Sequence, residues 1–424
     1  MNQTIKTRIE QIGRGEVPEG YKKTKVGIVP CDWGESKLKD ISTHVTRKNT
    51  DNNIHLTFTN SATQGVIKQT DYFDKEIANQ DNTSGYYIVE KNDYIYNPRI
   101  SVSAPCGPIN QSHFDEIGIV SPLYTVFKMK KGYEENRYFE FYFKSTHWYK
   151  YMHSVANYGA RHDRMNITND DLFGMPIPFP SIEEQERIAE ILGTQDKLIA
   201  LKEKRIAEKK QQKKYLMQQL LTGKKRLPGF TGEWKKVKLG ACISEVNERS
   251  QGNGGYDILS VTKDGIVFQS EHFNKQIASE DTTGYKILKK GQLAFSSMNL
   301  WLGSLDVLDI CEKGIISPAY KVFAFDDALM LPEFGKYFLR THKMIWVYKS
   351  NSEQGASVVR RNLDLESVLS TTIEIPIITE QRAIVSILSQ ADKEIELLQK
   401  DLEEEKNKKK ALMQLLLTGI VRVS

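Results

Sequence analysis

The sequence contains two copies of one pattern, spaced about 196 residues apart along a chain of 424 residues. One matched pair is GIVSPLYTVF at 118–127 and GIISPAYKVF at 314–323. A second pair, PSIEEQERIAEIL at 180–192 and PIITEQRAIVSIL at 376–388, follows in the same order. Solenoid repeats have periods of about 20–50 residues, so a period this long indicates a duplicated module. The sequence therefore predicts two similar halves.

Each copy ends in a long helical pattern with a single apolar seam. In the second copy, ten positions from Ile384 to Leu416 alternate in spacing between four and three residues, and eight of them are apolar. The same register one repeat earlier has six apolar positions. This spacing is typical of a coiled coil. A helix of this kind does not bury its own seam, so we expect the two helices to pair with each other, antiparallel. The predicted seam residues are Ile188, Leu192, Ile199, Ile206, Leu216, Leu220, Ile384, Leu388, Ile395, Leu398, Leu402, Leu412 and Leu416.

Helix boundaries and charge add detail to these segments. Ser181 and Thr379 occupy the positions where helix N-caps are expected. Lys202, Lys209 and Lys213 replace apolar residues in the first seam, and residues 197–226 carry eleven Lys or Arg against two Glu. Two interpretations remain open, a solvated coiled-coil surface, or attraction to phosphate or an acidic partner. The net charge of +5 permits a nucleic-acid partner but does not require one.

Composition and missing motifs exclude several classes of protein. No apolar run approaches the ~20 residues of a membrane-spanning helix. The N-terminal sequence lacks the apolar stretch of a signal peptide, so we expect a cytoplasmic protein. The four cysteines have no zinc spacing, and we find no phosphate-binding loop, nucleophile elbow or HExxH motif. The methylation motif Asn-Pro-Pro-aromatic is absent as well, since Asn97-Pro98-Arg99 lacks its second proline. We therefore expect no catalytic residues and no metal site.

The paired helix signatures carry a family resemblance. Each helix opens with Glu-Gln, at Glu184-Gln185 and Glu380-Gln381, and closes with LLTG. From about Gly20 to Arg422, the chain resembles the specificity subunit of a type I restriction–modification enzyme. The resemblance implies an α+β fold with two similar mixed α/β target recognition domains, two long antiparallel coiled-coil helices that separate them, and a pseudo-two-fold internal repeat. The expected bounds are an N-terminal arm at 1–21, the first domain (module 1) at 22–180, the first helix at 181–223, the second domain (module 2) at 224–377 and the second helix at 378–420.

The resemblance also implies a function and partners. Each recognition domain would read one half of a bipartite, asymmetric sequence in double-stranded DNA. The subunit itself would be non-catalytic and bind no cofactor. It would assemble with two adenine methyltransferase subunits, which use S-adenosylmethionine, and two restriction subunits, which use ATP and Mg. The alternatives are a coiled-coil adaptor that recognises proteins, and a self-sufficient methyltransferase or nuclease.

The candidate DNA contacts lie in loops that differ between the two modules. Residues 97–101 and 159–164 of module 1 correspond to 296–301 and 355–360 of module 2. Bidentate contacts from Arg to guanine and from Asn to adenine are common in base recognition. For module 1 we predict base contacts from Arg99, Arg161 and Arg164, and phosphate contacts from Arg47 and Lys48. For module 2 we predict base contacts from Asn299, Arg360 and Arg361, and phosphate contacts from Arg249 and Lys263.

Overall fold

The computed structural model describes residues 3–72, 83–157, 163–252, 255–272, 281–354 and 361–423. The chain forms two compact units. The first unit contains Met1–Lys202 and Asp401–Ser424, and the second contains Glu203–Lys400. Each unit thus holds one mixed module together with part of each long helix.

The two long helices span Ile182–Leu220 and Ile378–Leu416. In the first unit, Gln195 Nε2 donates to the carbonyl oxygen of Glu405 at 3.1 Å, and Lys409 pairs with Asp196 at 2.5 Å. In the second unit, Lys209 pairs with Glu394 at 2.7 Å. Within each unit the helices run antiparallel. Of the thirteen predicted seam residues, eight are buried and five, Ile199, Leu216, Leu398, Leu402 and Leu412, are half-buried.

The lysines of the first seam form ion pairs with the second helix. Lys202 lies 2.5 Å from Asp401 in the first unit. In the second unit Lys213 pairs with Asp392, as Lys209 does with Glu394. Lysine stems cover apolar surface while their ammonium groups reach a partner at the edge. These contacts favour helix pairing over phosphate attraction as the role of the seam lysines.

The helix starts differ in their capping. Ser181 Oγ accepts a hydrogen bond from the Glu184 amide at 3.2 Å, as expected of an N-cap. The prediction for Thr379 is wrong, because the second long helix already begins at Ile378. There the carbonyl of Ile377 accepts from the amides of Glu380 and Gln381, both at 3.0 Å, so the first turn forms one residue before the threonine.

Module 1 is built on a four-stranded antiparallel sheet in the order 42–45, 125–129, 94–96, 109–111. The strands of the first unit are Tyr21–Lys23, Ile28–Pro30, Gly34–Lys37, Ser42–Val45, Phe58–Ser61, Gly65–Lys68, Tyr87–Val89, Tyr94–Tyr96, Ile109–Gln111, Gly118–Val120, Thr125–Met129 and Pro176–Phe179. Its shorter helices are Gln3–Gly13, Leu38–Ile41, Gln69–Tyr72, Arg137–Lys144, Tyr149–Val155 and Asn169–Phe173.

Module 2 repeats this sheet in the order 243–245, 320–325, 293–296, 305–307. The strands of the second unit are Lys235–Lys238, Ile243–Glu245, Leu259–Val261, Ile266–Phe268, Lys286–Lys289, Leu293–Ser296, Leu305–Val307, Lys313–Ile316, Tyr320–Phe325, Ser352–Gln354, Arg361–Leu363 and Thr372–Ile375. Its shorter helices are Leu239–Cys242, Gln269–His272, Pro332–Phe338, His342–Ser350 and Leu365–Ser370, with a 3₁₀ turn at Leu300–Leu302.

Each sheet separates a large core from a small one. In module 1, Tyr94 and Tyr96 face the large core, which includes the aromatic helix Arg137–Lys144. Ile95 points the other way, into a small core with Phe58. Successive side chains of a strand alternate between faces, so one short strand serves both cores. The packing of both faces of the sheet thereby fixes the positions at which the loops begin and end.

The Glu-Gln pair anchors the start of each long helix. Gln185 Nε2 donates to the carbonyl of Pro180 at 2.9 Å, and Gln381 Nε2 donates to the carbonyl of Leu329 at 2.7 Å. Glu184 and Glu380 are buried and bind Arg422 and Arg226. The glutamine thus ties the helix to its module, and the glutamate ties it to the segment that follows the other long helix. None of the described helices combines the length and apolar character needed to cross a membrane.

Candidate nucleic-acid interface

Two loops of module 1 meet edge to edge, although about 65 residues separate them in sequence. Arg99 and Arg164 form an antiparallel bridge. The Met165 amide donates to the carbonyl of Pro98 at 2.8 Å, and the Ile100 amide donates to the carbonyl of Asp163 at 3.1 Å. Two of the predicted base-contacting arginines are therefore neighbours on one surface.

The two arginines differ in their freedom. Arg99 is exposed, whereas only 25% of the Arg164 side chain is accessible, and its Nε lies 3.5 Å from Asp163 Oδ1. Desolvation acts to raise the pKa of Asp163, but the hydrogen bond from Arg164 and the charge of Arg99 lower it below its ordinary value. The carboxylate thus stays ionised at neutral pH and orients the guanidinium of Arg164.

A buried amide network supports the first loop. Asn97 Oδ1 accepts from the Arg99 amide at 3.0 Å, and Asn97 Nδ2 donates to the carbonyl of Asn60 at 3.0 Å. Asn110 Nδ2 donates to Asn60 Oδ1 at 2.7 Å. Gly107 has a φ of +76°, and a Cβ there would lie 2.1 Å from the Asn97 carbonyl oxygen. The backbone under Arg99 is therefore fixed before any ligand arrives.

Module 2 brings its own pair of loops together with different side chains. The Arg361 amide donates to the carbonyl of Met298 at 3.2 Å. The Arg361 guanidinium lies 4.9 Å from the ring centre of Trp301, a cation–π distance. Asn299 Oδ1 is buried and has no hydrogen-bond partner among the described residues. The half-buried Trp301 packs under Arg361, and the segment that carries Asn299 adjoins the start of the strand Arg361–Leu363.

The predicted phosphate contacts lie outside these loop pairs. In module 1, Arg47 is exposed at 3.5 Å from Glu90, and Lys48 lies beside Tyr87. In module 2, Arg249 lies beside Lys286, and Lys263 is exposed in the turn between strands Leu259–Val261 and Ile266–Phe268. Arg161 and Arg360 lie outside the described residues.

The predicted residues omit one element next to the loops of module 1. The turn at 62–65 lines a cavity of about 440 Å³, together with Ser103 and Lys144. Thr63 and Gln64 are exposed in this turn. Aligning SATQG at 61–65 with VTKDG at 261–265 pairs Thr63 with Lys263 and thus provides the signal that identifies this turn.

Glu140 also lines this cavity and is almost fully buried. Its Oε1 lies 3.3 Å from His113 Nε2 and 2.6 Å from Lys144 Nζ. Burial acts to raise the pKa of Glu140, but the bond to His113 and the charge and bond of Lys144 outweigh it and lower the pKa to about 2. The cavity wall thus holds a carboxylate that stays ionised at neutral pH and is paired with Lys144.

Comparison with known proteins places these observations in a family. A family model described as the type I restriction modification DNA specificity domain matches residues 30–211 and 252–406. The putative type I restriction enzyme MjaX specificity subunit of Methanocaldococcus jannaschii is 25% identical over 96% of this chain and 97% of the relative. The MjaVIII specificity subunit of the same organism is 26% identical over 58% of this chain and 62% of the relative.

A solved structure, reported as the structural basis of complex assembly and conformational transition of the type I R-M system, is similar in fold. The TM-score is 0.58 at 16% identity, and the match covers 93% of this chain and 99% of that chain. The two domain matches and this structure agree on two mixed α/β modules with long helices.

Proposed function

Because the chain belongs to the family of type I restriction–modification DNA specificity subunits, we propose that each of its two modules reads one half of a bipartite DNA sequence. The subunit confers DNA sequence specificity on a type I restriction–modification enzyme. One observation supports the division of labour most directly. In each module two described segments, distant in sequence and different between the modules, meet through their backbones, at Arg99 and Arg164 in module 1 and at Met298 and Arg361 in module 2.

The side chains on these surfaces suit base recognition. Arg99 and Arg164, whose backbones form an antiparallel bridge, each carry a guanidinium of the kind that contacts both major-groove acceptors of guanine. Asn299 carries an amide of the kind that pairs with adenine, and its buried Oδ1 would have to turn outward to accept from the base. Arg161 and Arg360 remain predictions for the same role. Four basic residues outside the loop pairs contact DNA phosphates and thereby fix the position of the protein along the duplex. These contacts carry no sequence information themselves. They are Arg47, Lys48, Arg249 and Lys263.

The proposal includes a division between recognition and chemistry. The sequence lacks the Asn-Pro-Pro-aromatic methylation motif and a nuclease signature. In this proposal the chain recognises the target sequence, and partner subunits catalyse the reactions. Two adenine methyltransferase subunits would use S-adenosylmethionine, and two restriction subunits would use ATP and Mg. Turnover by the purified chain alone, assayed with labelled S-adenosylmethionine and DNA, would contradict this part.

Salt-dependent binding separates DNA recognition from a role as a protein adaptor. A complex of this chain with its methyltransferase should bind its mapped target with an affinity that falls steeply as salt rises, because bound phosphates release counterions. Lys48→Ala should lower the slope of log affinity against log salt by about one. Lys23→Ala, which removes another exposed lysine, serves as the control and should leave the slope unchanged. An absence of sequence-specific DNA binding would instead favour the adaptor.

A further inference from the structure

An apolar side chain stands at the apex of the module 1 loop. Val102 has 104% relative exposure, the highest among the exposed large apolar residues that the structure describes. Ile100, two residues earlier, is 39% exposed. Isolated exposed apolar residues are common on protein surfaces, so exposure alone decides nothing. Here, however, the exposed residues lie in the loop that carries Arg99 and bridges to Arg164.

The apex is held rigidly. The Ser101 amide donates to the carbonyl of Ala104 at 3.1 Å, and the Ala104 amide returns a bond to the carbonyl of Ser101 at 3.2 Å. Ser101 Oγ accepts a second bond from the Ala104 amide at 3.1 Å. Ala104 itself is 4% exposed and anchors the loop in the module. Valine is branched at Cβ, and its single side-chain torsion is restricted. It therefore loses little conformational entropy on binding.

Module 2 exposes apolar side chains at the corresponding loop although its sequence differs. Met298, just before Asn299, is 38% exposed, and Leu302, the last residue of the 3₁₀ turn, is 48% exposed. The same combination of a cation or amide with a neighbouring apolar tip thus occurs in both modules. A recurrence at equivalent loops argues against an accident of one surface position.

We propose that Val102 is a specificity-determining residue that contacts the C5-methyl group of a thymine in the half-site read by module 1. The inference rests on the proposed function. In the major groove, thymine is the base that presents a methyl group, and small apolar side chains recognise it by contact. Side chains that wedge between base steps are longer, such as Phe, Leu, Ile or Met. A β-branched valine in the loop that follows Arg99 fits the methyl contact.

The test uses deoxyuridine, which lacks the methyl group of thymine. The complex with the methyltransferase is assayed for binding to duplexes of its mapped target, in which each thymine of the half-site is replaced singly. Exchange of residues 22–180 for a relative's module assigns this half-site to module 1. Replacement of one particular thymine should weaken binding by the wild-type complex about fourfold, which is the change in affinity expected from losing one buried methyl group. In Val102→Ala the thymine and deoxyuridine duplexes should bind equally.

Matched variants separate the possible failures. Val17→Ala removes another exposed valine of the same unit, at 46% exposure, and should retain the fourfold discrimination. The inference is overturned if Val102→Ala keeps the discrimination, if it weakens both duplexes equally, or if the half-site contains no thymine on either strand. Absence of any bipartite target would contradict the proposed function itself.

Discussion

Module 1 and module 2 share the strand order of their sheets but present different side chains at corresponding loops. Module 1 places Arg99 beside Arg164, with Asp163 orienting the second arginine. Module 2 places Arg361 over Trp301 and leaves the oxygen of Asn299 without a hydrogen bond among the described residues. The sheets are fixed by burial on both faces, whereas exposed loop side chains such as Arg99 and Met298 can change without disturbing either core. Recognition can therefore diverge while the fold stays the same.

The two units also differ in the origin of the residues that bind the buried glutamate at the start of each long helix. In the second unit, Arg226 binds Glu380 and lies over Trp234, eight residues further along the chain. In the first unit, Arg422 binds Glu184 and lies over Trp33, which belongs to a distant part of the sequence. The same three-residue arrangement thus forms once between near neighbours and once between remote segments.

The largest expected effect comes from removing these arginines. Arg226→Ala leaves Glu380, which is 1% exposed, without its ion-pair partner, a loss worth about 3–5 kcal/mol of unfolding free energy. Arg422→Ala should cost less, about 1–3 kcal/mol, because Glu184 keeps a hydrogen bond from Trp33 Nε1 at 2.9 Å. Urea unfolding of both full-length variants measures the difference. A larger loss for Arg422→Ala would contradict this account.

The glycines after the two helices should reverse that order. Gly419 and Gly223 both have a positive φ, +69° and +68°, which costs a non-glycine residue about 1–2 kcal/mol. A Cβ at Gly419 would also lie 2.5 Å from Pro30 Cγ, whereas at Gly223 the nearest atom is 3.4 Å away. We expect a loss of about 2–4 kcal/mol for Gly419→Ala, since overpacking adds to the strain, and about 1–2 kcal/mol for Gly223→Ala. Equal unfolding midpoints for the two variants would show that Pro30 moves away from the added methyl group without a cost in stability.

The base-reading residues should act on one half-site each. Arg164→Ala should cost about 1–3 kcal/mol of binding and relax the sequence preference at one position of the first half-site. Arg361→Ala should do the same in the second half-site only. Binding to duplexes with every single base substitution measures both preferences. A uniform loss across all sequences would reassign either arginine to the phosphate backbone.

The smallest effect concerns the ion pairs along the helices. Lys209→Glu and Glu394→Lys should each destabilise the second unit by about 1 kcal/mol or less, because the pair at 2.7 Å is partly exposed. The double exchange restores opposite charges and should recover most of the loss. High salt should shrink all three differences. If the double variant is no better than the singles, the lysine contributes through its apolar stem alone.

The helices follow from the sequence because their signal is local. The four-three spacing from Ile384 to Leu416 can be read without knowing any tertiary contact. The ion pairs cannot be read in this way, because Lys202, Lys209 and Lys213 appear as polar defects until the acids of the other helix are placed opposite them. The role of the repeated Glu-Gln pair cannot be predicted from the sequence either, because the partner of Glu184 is Arg422, which is distant in sequence.

The candidate site follows only in part. Divergent loops between matched frameworks indicate where recognition lies, and Arg99 and Arg164 were chosen by residue type. Their adjacency depends on how loops 65 residues apart fold together, which no spacing encodes. Val102 cannot be predicted from the sequence, because an apolar residue in a loop carries no signal until its exposure is known.

The independence of the two modules is the central claim, and a module exchange tests it most directly. Residues 22–180 are replaced by the corresponding module of a relative, and the chain is expressed with its methyltransferase in a host whose methylated sites are then mapped. We expect one half of the bipartite target to change while the other half stays as in the wild type. A simultaneous change in both half-sites, or in neither, would contradict the account.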